Sequence, residues 1–133
     1  DRLVRGDRPF LAVCLGHQVT AAALGLEIVR RPTPNQGVQR TVDLFGRLEQ
    51  VGFYNTFAAR AGGPVAASGS RRGPVRTSRD PRTGEVHALR GRGFTSLQFH
   101  PESLLTRSGP DILADSIRWA LAPGPDRQPV SVA

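Results

Sequence analysis

Short apolar runs separated by turn-forming residues dominate the hydrophobic pattern of the chain and predict alternating strands and helices. The run at 9–13 ends at Cys14 and precedes a helix-forming segment at 16–24, which predicts a strand, a sharp turn and a helix. A second helix is predicted at 111–121 behind a capping-box pattern at 108–111. Further strands are predicted at 26–30, 38–44, 47–52, 75–79, 85–90 and 93–100. Segment 54–61 is predicted to be an irregular or helical turn, and 62–73 a mobile loop.

The order of these elements is typical of an α/β domain. With 133 residues, 38% of them hydrophobic, the chain can form one ordinary globular domain. We assign residues 1–122 to this domain and the proline- and glycine-rich residues 123–133 to a tail or linker. No apolar run approaches the length of a membrane span, and no secretory pattern opens the chain, so no membrane partner is expected.

Cys14, the single cysteine, lies on the predicted turn between a strand and a helix. A side chain there is exposed at the carboxyl edge of a sheet, as in the nucleophile elbow of hydrolases. Because the N–H groups and dipole of a helix N-terminus favour an anion, we expect a lowered thiol pKa and a nucleophilic thiolate. The alternative is a buried, unreactive cysteine, since free cysteine is among the most buried residue types.

His100 and Glu102 follow the last predicted strand and flank Pro101. A residue before proline is held in extended geometry, where positions two apart point to the same side. Glu102 can therefore orient the His100 imidazole, which supplies a base and an orienting carboxylate to accompany the nucleophile. The alternative is that His100 only ends a strand and that Glu102 is a solvated carboxylate.

Two segments resemble the motifs of class I glutamine amidotransferases of the triad type. AVCLGHQ at 12–18 resembles the nucleophile motif, and FHPES at 99–103 resembles the second motif. The segments at 34–39, 43–46 and 51–59 resemble the glutaminase half of phenazine-pathway anthranilate synthase-like enzymes, with YNTF at 54–57 where ordinary anthranilate synthase component II typically has YHSL. The resemblance covers residues 9–121. Position 12 holds alanine where the family usually has glycine, and we expect the turn to accommodate the small extra methyl group.

The resemblance implies a partial flavodoxin-like or Rossmann-like glutaminase fold with a mixed sheet. It implies that Cys14 attacks the side-chain amide of L-glutamine to give a thioester, that His100 moves the protons and that Glu102 fixes the tautomer of the His100 ring. The positions it assigns to oxyanion or substrate binding are Leu15, Gln18, Thr56 and Phe57.

The resemblance begins inside the family domain, and the chain contains no methionine. The family's N-terminal strands, and the Gly-Pro-Gly loop that supplies a second oxyanion N–H, are therefore expected to be absent. An unpaired strand edge and a missing oxyanion donor predict that the isolated 133-residue polypeptide is poorly soluble or self-associates, and has no useful glutaminase activity. The other interpretation is a catalytically inactive remnant that acts only as a docking or structural module.

The resemblance also implies a partner. Ammonia would pass to a chorismate-binding synthase domain or subunit that needs magnesium and makes 2-amino-2-desoxyisochorismate or anthranilate. No cofactor is expected in this domain itself, and three histidines without metal-ligand spacing argue against a metal site. We interpret His17 as structural and place His87 in a surface strand. A lone cysteine forms no internal disulfide, which fits a reducing cytoplasm.

Arginine supplies all eighteen basic residues, and the formal net charge is +7. Several of these arginines cluster between positions 71 and 92, and such a basic patch suggests phosphate or nucleic-acid binding. No zinc-finger spacing, RNA-binding signature or helix-turn-helix pattern accompanies the patch. We therefore expect no nucleic-acid partner and interpret the patch as a solvated face or as a surface facing an acidic partner domain.

Overall fold

The computed structural model describes residues 2–67 and 69–122 of the chain. These residues form three helices and nine strands. The helices are α1 (Arg2–Arg5), α2 (Leu15–Ala23) and α3 (Gly109–Leu121). The strands are β1 (Phe10–Val13), β2 (Glu27–Arg30), β3 (Val38–Leu44), β4 (Arg47–Phe53), β5 (Phe57–Arg60), β6 (Val65–Ala66), β7 (Val75–Arg79), β8 (Val86–Gly91) and β9 (Phe94–Leu97). The tail predicted at 123–133 lies outside the described residues.

The main sheet is mixed and has the strand order β1-β9-β8-β7-β6. β1 and β9 are parallel, with Phe10 opposite Phe94 and Val13 opposite Leu97, whereas the other neighbours in this sheet are antiparallel. The predicted α/β fold with a mixed sheet is confirmed. Because β1 and β9 run the same way, the residues that follow them, Cys14 and Gln98, emerge at the same end of the sheet.

Two smaller two-stranded sheets flank the main sheet. β3 and β4 form the predicted hairpin around Phe45 and Gly46, both of which have positive φ angles, as a type I′ turn requires. β2 pairs with β5 in antiparallel fashion, so the prediction of an irregular or helical turn at 54–61 is wrong. Strand β6 likewise lies inside the segment predicted to be a loop at 62–73. Both strands are short and are specified by distant partners rather than by their own sequence.

Helix α3 begins two residues before the predicted start. Ser108 occupies the N-cap position but makes no side-chain capping hydrogen bond, so the predicted capping box is not formed. Gly109 opens the helix against the backbone of Pro101, and a Cβ at this position would overlap the Pro101 carbonyl oxygen. The start of α3 is therefore packed directly under the segment that carries His100 and Glu102.

Two clusters of buried side chains lie on the opposite faces of the main sheet. The cluster that includes α3 contains Val42, Leu44, Val51, Phe53, Ala88, Leu97, Phe99 and Ile112. The cluster that includes α2 contains Ala21, Ala59, Val75, Val86, Leu89 and Phe94. Successive residues of a strand point to opposite faces, and Ala88 and Leu89 accordingly belong to different clusters. The two helices thus cover the two faces of the sheet, as in other α/β domains.

Candidate active site

Cys14 occupies a strained turn between β1 and α2. Its φ of 53° and ψ of −107° lie in a region that residues other than glycine rarely adopt, as expected for a nucleophile elbow. Its amide donates to the Leu97 carbonyl at 2.8 Å, which fixes the turn to β9. A Cβ at Gly16 would lie 3.3 Å from the Cβ of Ala12. The methyl of Ala12 is therefore accommodated because position 16 has no side chain.

The Cys14 thiol does not have the lowered pKa expected from the sequence. Burial raises the pKa of Cys14, the Leu15 N–H lowers it by a smaller amount, and the Glu102 carboxylate raises it further. The helix N-terminus is present, but desolvation outweighs it. Since the pKa lies above its ordinary value, the resting thiol is protonated at neutral pH and needs a base to become a nucleophile.

His100 and Glu102 are brought together as predicted. The Nδ1 atom of His100 lies 2.6 Å from Oε1 of Glu102. Although partial burial raises it, the Glu102 backbone amide and the His100 ring hold the pKa of the Glu102 carboxyl below its ordinary value. This is the arrangement that a general base and its orienting carboxylate would need.

The backbone around His100 is fixed by strand β4 and by one threonine. His100 N–H donates to the Gly52 carbonyl at 3.0 Å. The Thr106 hydroxyl donates to the His100 carbonyl at 2.6 Å and accepts from Gly52 N–H at 3.0 Å. A Cβ at Gly52 would lie 2.7 Å from the Cβ of Leu105. The glycine at position 52 therefore allows the His100 loop to lie close against β4.

Cys14 and His100 share one end of the sheet, but within residues 2–67 and 69–122 no hydrogen bond joins them. The thiol sulfur instead has the Gln98 side-chain amide 3.8 Å away, with Gln98 Nε2 as the donor. An open pocket of about 840 Å³ lies beside His100 and Glu102 and is also lined by Tyr54 and Leu104. Hydrogen bonds of catalytic groups are commonly long in ligand-free structures and shorten when substrate binds.

The predicted substrate-binding positions are partly assembled. Gln18 Nε2 donates to the Phe57 carbonyl at 2.9 Å and to Gln98 Oε1 at 3.1 Å. The Thr56 carbonyl accepts from the Arg31 N–H at 2.8 Å. Leu15 is 69% exposed, and it begins α2 immediately after the nucleophile. Gln18 and Phe57 are thus in contact, whereas the carbonyl of Thr56 is occupied within the protein.

Two residues that the sequence analysis missed also lie in this site. Gln98 is almost fully buried and connects Cys14 to Gln18. The Tyr54 ring packs edge-on against the His100 ring at 5.2 Å, and its hydroxyl lies 2.8 Å from Ser103 Oγ. Gln98 is two positions before His100 in extended chain, so the alternation that linked His100 to Glu102 could also have indicated Gln98. No local pattern places Tyr54 against the His100 ring.

The other two histidines lie away from this chemistry. His17 is fully buried with Nδ1 2.7 Å from Ser96 Oγ, and burial lowers the pKa of His17 to about 4. His87 lies in β8 as predicted and is half-buried: its ring packs 5.4 Å from Phe53, and burial lowers its pKa to about 4. Among the described residues, no three His, Cys, Asp or Glu side chains are grouped as a metal ion would need.

Comparison with known proteins identifies a family model that matches this chain. The family model for class-I glutamine amidotransferases matches residues 1–119. A phenazine-specific anthranilate synthase of Pseudomonas fluorescens is 57% identical over 132 residues, which is 98% of this chain and 20% of that protein. Aminodeoxychorismate synthase component 2 of Klebsiella aerogenes is 31% identical over 83% of this chain and 60% of its own length. The chain therefore spans about a fifth of the length of its phenazine-specific relative.

A solved structure shows the same fold. A Thermoplasma acidophilum protein described as a GMP synthase component matches with a TM-score of 0.62 and 22% identity, over 86% of this chain and 58% of that one. No helix in the described part of the chain is both long enough and apolar enough to cross a membrane.

Proposed function

This chain belongs to the class-I glutamine amidotransferase family, and we propose that it hydrolyses the side-chain amide of L-glutamine to supply ammonia to a synthase. The observation that carries the proposal is the position of a strained cysteine elbow and a carboxylate-bonded imidazole at one end of the β1–β9 pair. We further propose a cytoplasmic location, because the single cysteine forms no internal disulfide.

The first chemical step forms a tetrahedral intermediate, which becomes a thioester when ammonia leaves in the second step. His100 takes the proton from the Cys14 thiol, and the sulfur attacks the carboxamide carbon of glutamine. Because the pKa of Cys14 is raised, the thiolate forms only as the proton moves to His100. The bond between Nδ1 and Glu102 leaves Nε2 of the His100 ring to accept that proton.

The second step releases ammonia and then glutamate. The protonated His100 ring gives its proton to the leaving nitrogen, so the carbon–nitrogen bond breaks and ammonia departs. A water molecule then gives a proton to His100 and attacks the thioester, which frees glutamate and the Cys14 sulfur. The Leu15 N–H donates to the oxygen that carries negative charge in both tetrahedral intermediates.

The recipient of the ammonia is proposed from the phenazine-specific relatives. Two relatives named "Anthranilate synthase, phenazine specific" are 57% and 55% identical to this chain over 98% of it. We therefore propose that the partner is a chorismate-binding synthase, either a domain or a separate subunit, and we place the magnesium that such a synthase needs in that partner rather than here. Glutamine is the substrate that Gln18, Thr56 and Phe57 hold in this proposal.

A second candidate function is an inactive docking module. The absence of a hydrogen bond between Cys14 and His100 in the described residues, together with the raised thiol pKa, favours it. Glutamine-dependent amination after removal of the Cys14 sulfur distinguishes the two functions, because only an active glutaminase needs that sulfur.

The test replaces the nucleophile in the full-length protein that carries this segment, assembled with its synthase. Cys14→Ser should abolish amination that uses glutamine and leave amination that uses added ammonium salt unchanged, because only the ammonia supply needs the thiolate. Equal loss of both activities would show that Cys14 supports the structure of the assembly. Full retention of both activities would favour the docking module.

A further inference from the structure

Arg76 and Arg90 are two cations that face each other across neighbouring strands. Arg76 in β7 lies directly opposite Arg90 in β8. Like charges at directly opposite positions destabilise an antiparallel pair. Among the described residues neither guanidinium forms an ion pair. Asp115, whose charge reaches Arg90, is already paired with Arg47 and Arg118.

Both guanidinium groups are held over the same two aromatic rings. Arg90 lies 4.4 Å from the Phe45 ring centre and 5.2 Å from that of Trp119. Arg76 lies 5.5 Å from Phe45 and 5.8 Å from Trp119. Trp119 is itself fixed, because its Nε1 donates to the Gly91 carbonyl at 2.8 Å. The two charges therefore occupy a rigid frame.

Arg90 also carries an unsatisfied donor. Its Nε atom is buried and has no hydrogen-bond partner. A buried donor without an acceptor is costly, and more so when it belongs to a charged group. The aromatic rings offer Arg90 an electrostatic contact, but they do not accept this hydrogen bond at the Nε position in the structure.

Arg72 shows that the arginine-rich stretch is not simply a solvated face. It is 3% exposed and donates to the backbone carbonyls of Val4, Leu3, Arg8 and Arg92. Because backbone carbonyls accept hydrogen bonds from each nitrogen of its guanidinium group, Arg72 stabilises the fold. Arg72, Arg76 and Arg90 all line an open pocket of about 490 Å³ beside Trp119. Arg90 differs from Arg72 because its buried Nε has no acceptor among the described residues.

We propose that the Arg76–Arg90 pair binds one small oxyanion, a phosphate or carboxylate group held between the two guanidinium groups beside Trp119. Guanidinium groups recognise such groups through charge-assisted, often bidentate hydrogen bonds. An anion here would relieve the cross-strand repulsion and supply the missing countercharge. The pair lies where β9 begins, whereas Cys14 and His100 lie where β1 and β9 end, so this site is separate from the proposed glutaminase site.

Trp119 makes the proposal directly measurable, because its ring lies against both guanidinium groups. The full-length protein that carries this segment is titrated with inorganic phosphate at pH 7 and constant ionic strength while tryptophan fluorescence is recorded, and a second titration uses acetate. We expect a saturable change with at least one of these anions. The preferred anion distinguishes a tetrahedral from a planar ligand and should also raise the melting temperature.

Arg76→Gln is the test variant, because Arg76 is exposed on the sheet and its replacement leaves the core intact. Arg82→Gln is the matched control, since Arg82 is 88% exposed and follows the other end of β7. Arg76→Gln should weaken anion binding at least tenfold and remove the melting-temperature shift, and Arg82→Gln should change neither. A non-saturable response, or equal responses in the two variants, would overturn the proposal and leave the arginines as ring-stacking structural residues.

Discussion

Glu102 is hydrogen-bonded to the His100 ring, so in the proposed mechanism the two residues should differ in how much each contributes to the rate. Replacing the base removes proton transfer altogether, which costs about 10²-fold or more in rate. His100→Ala should therefore lower the glutaminase kcat/KM at least about 100-fold, and Glu102→Gln should lower it less, because it removes only the orientation. Steady-state glutaminase assays of the full-length protein measure both. A larger loss for Glu102→Gln would contradict the proposed roles.

In the resting protein, the Glu102 carboxylate also makes the Cys14 thiol harder to ionise. The carboxylate raises the pKa of Cys14, so Glu102→Gln should lower that pKa and speed alkylation at neutral pH, by less than about tenfold for one solvent-exposed charge. In the unmodified chain, iodoacetamide should react with Cys14 slowly at pH 7 and faster as the pH rises above the ordinary thiol pKa. Mass spectrometry measures the rate, with glutathione as the control thiol. A chain that reacts faster than glutathione at pH 7 would refute the raised pKa.

The start of helix α3 is fixed by a backbone contact rather than by a side-chain cap. A Cβ at Gly109 would overlap the Pro101 carbonyl, so Gly109→Ala should destabilise the protein by about 1–3 kcal/mol, the usual cost of overpacking. Helix propensity alone predicts that Gly109→Ala stabilises the protein, since alanine favours a helix over glycine by about 1 kcal/mol. Urea unfolding measures the difference. Gly62→Ala is the control, because position 62 has no neighbour within 4 Å.

The elements near the nucleophile were predictable from sequence because local patterns specify them. Local sequence restricts the conformation of each of these segments: an apolar run precedes Cys14, a helix former follows it, and a proline follows His100. The structure has the predicted strand, turn and helix around Cys14. Strand β5 was not predictable, because Ala58 and Ala59 carry little β-propensity and are buried by the tertiary fold, through pairing with β2 and packing against the α2-side core. The pKa of Cys14 was mispredicted for a related reason: the helix end is local, but the burial that outweighs it comes from the tertiary fold.

At the scale of the whole molecule, the fully buried His17 and the half-buried His87 make stability depend on pH. The pKa values of His17 and His87 are lowered from 6.5 to about 4, so the unfolded chain binds more protons than the folded one between these values. Their contribution to stability is complete above pH 6.5 and is lost as the pH falls toward 4. Each histidine should cost up to about 1.4 kcal/mol of unfolding free energy per pH unit within this window.

Urea unfolding at pH 7 and at pH 5 measures this loss. His87→Gln should reduce the pH dependence by about half, because one of the two imidazoles is removed. Gly62→Ala is a suitable control, since position 62 has no neighbour within 4 Å and the substitution leaves every charge unchanged. A pH dependence unchanged by His87→Gln would show that His87 titrates normally in the folded protein.

The parallel pairing of β1 with β9 also sets the order in which the site can form during protein synthesis. Cys14 and Gln98 are 84 positions apart, and β8, the other neighbour of β9, comes late in the chain as well. At about 5–20 residues per second, a ribosome adds 84 residues in roughly 4–17 s. In a nascent chain, the Cys14 thiol is therefore present for seconds before the His100 imidazole that would activate it has been synthesised. Contacts of such long sequence separation also slow folding, so the proposed Cys14–His100 site can form only after β9 has been synthesised and has paired with β1.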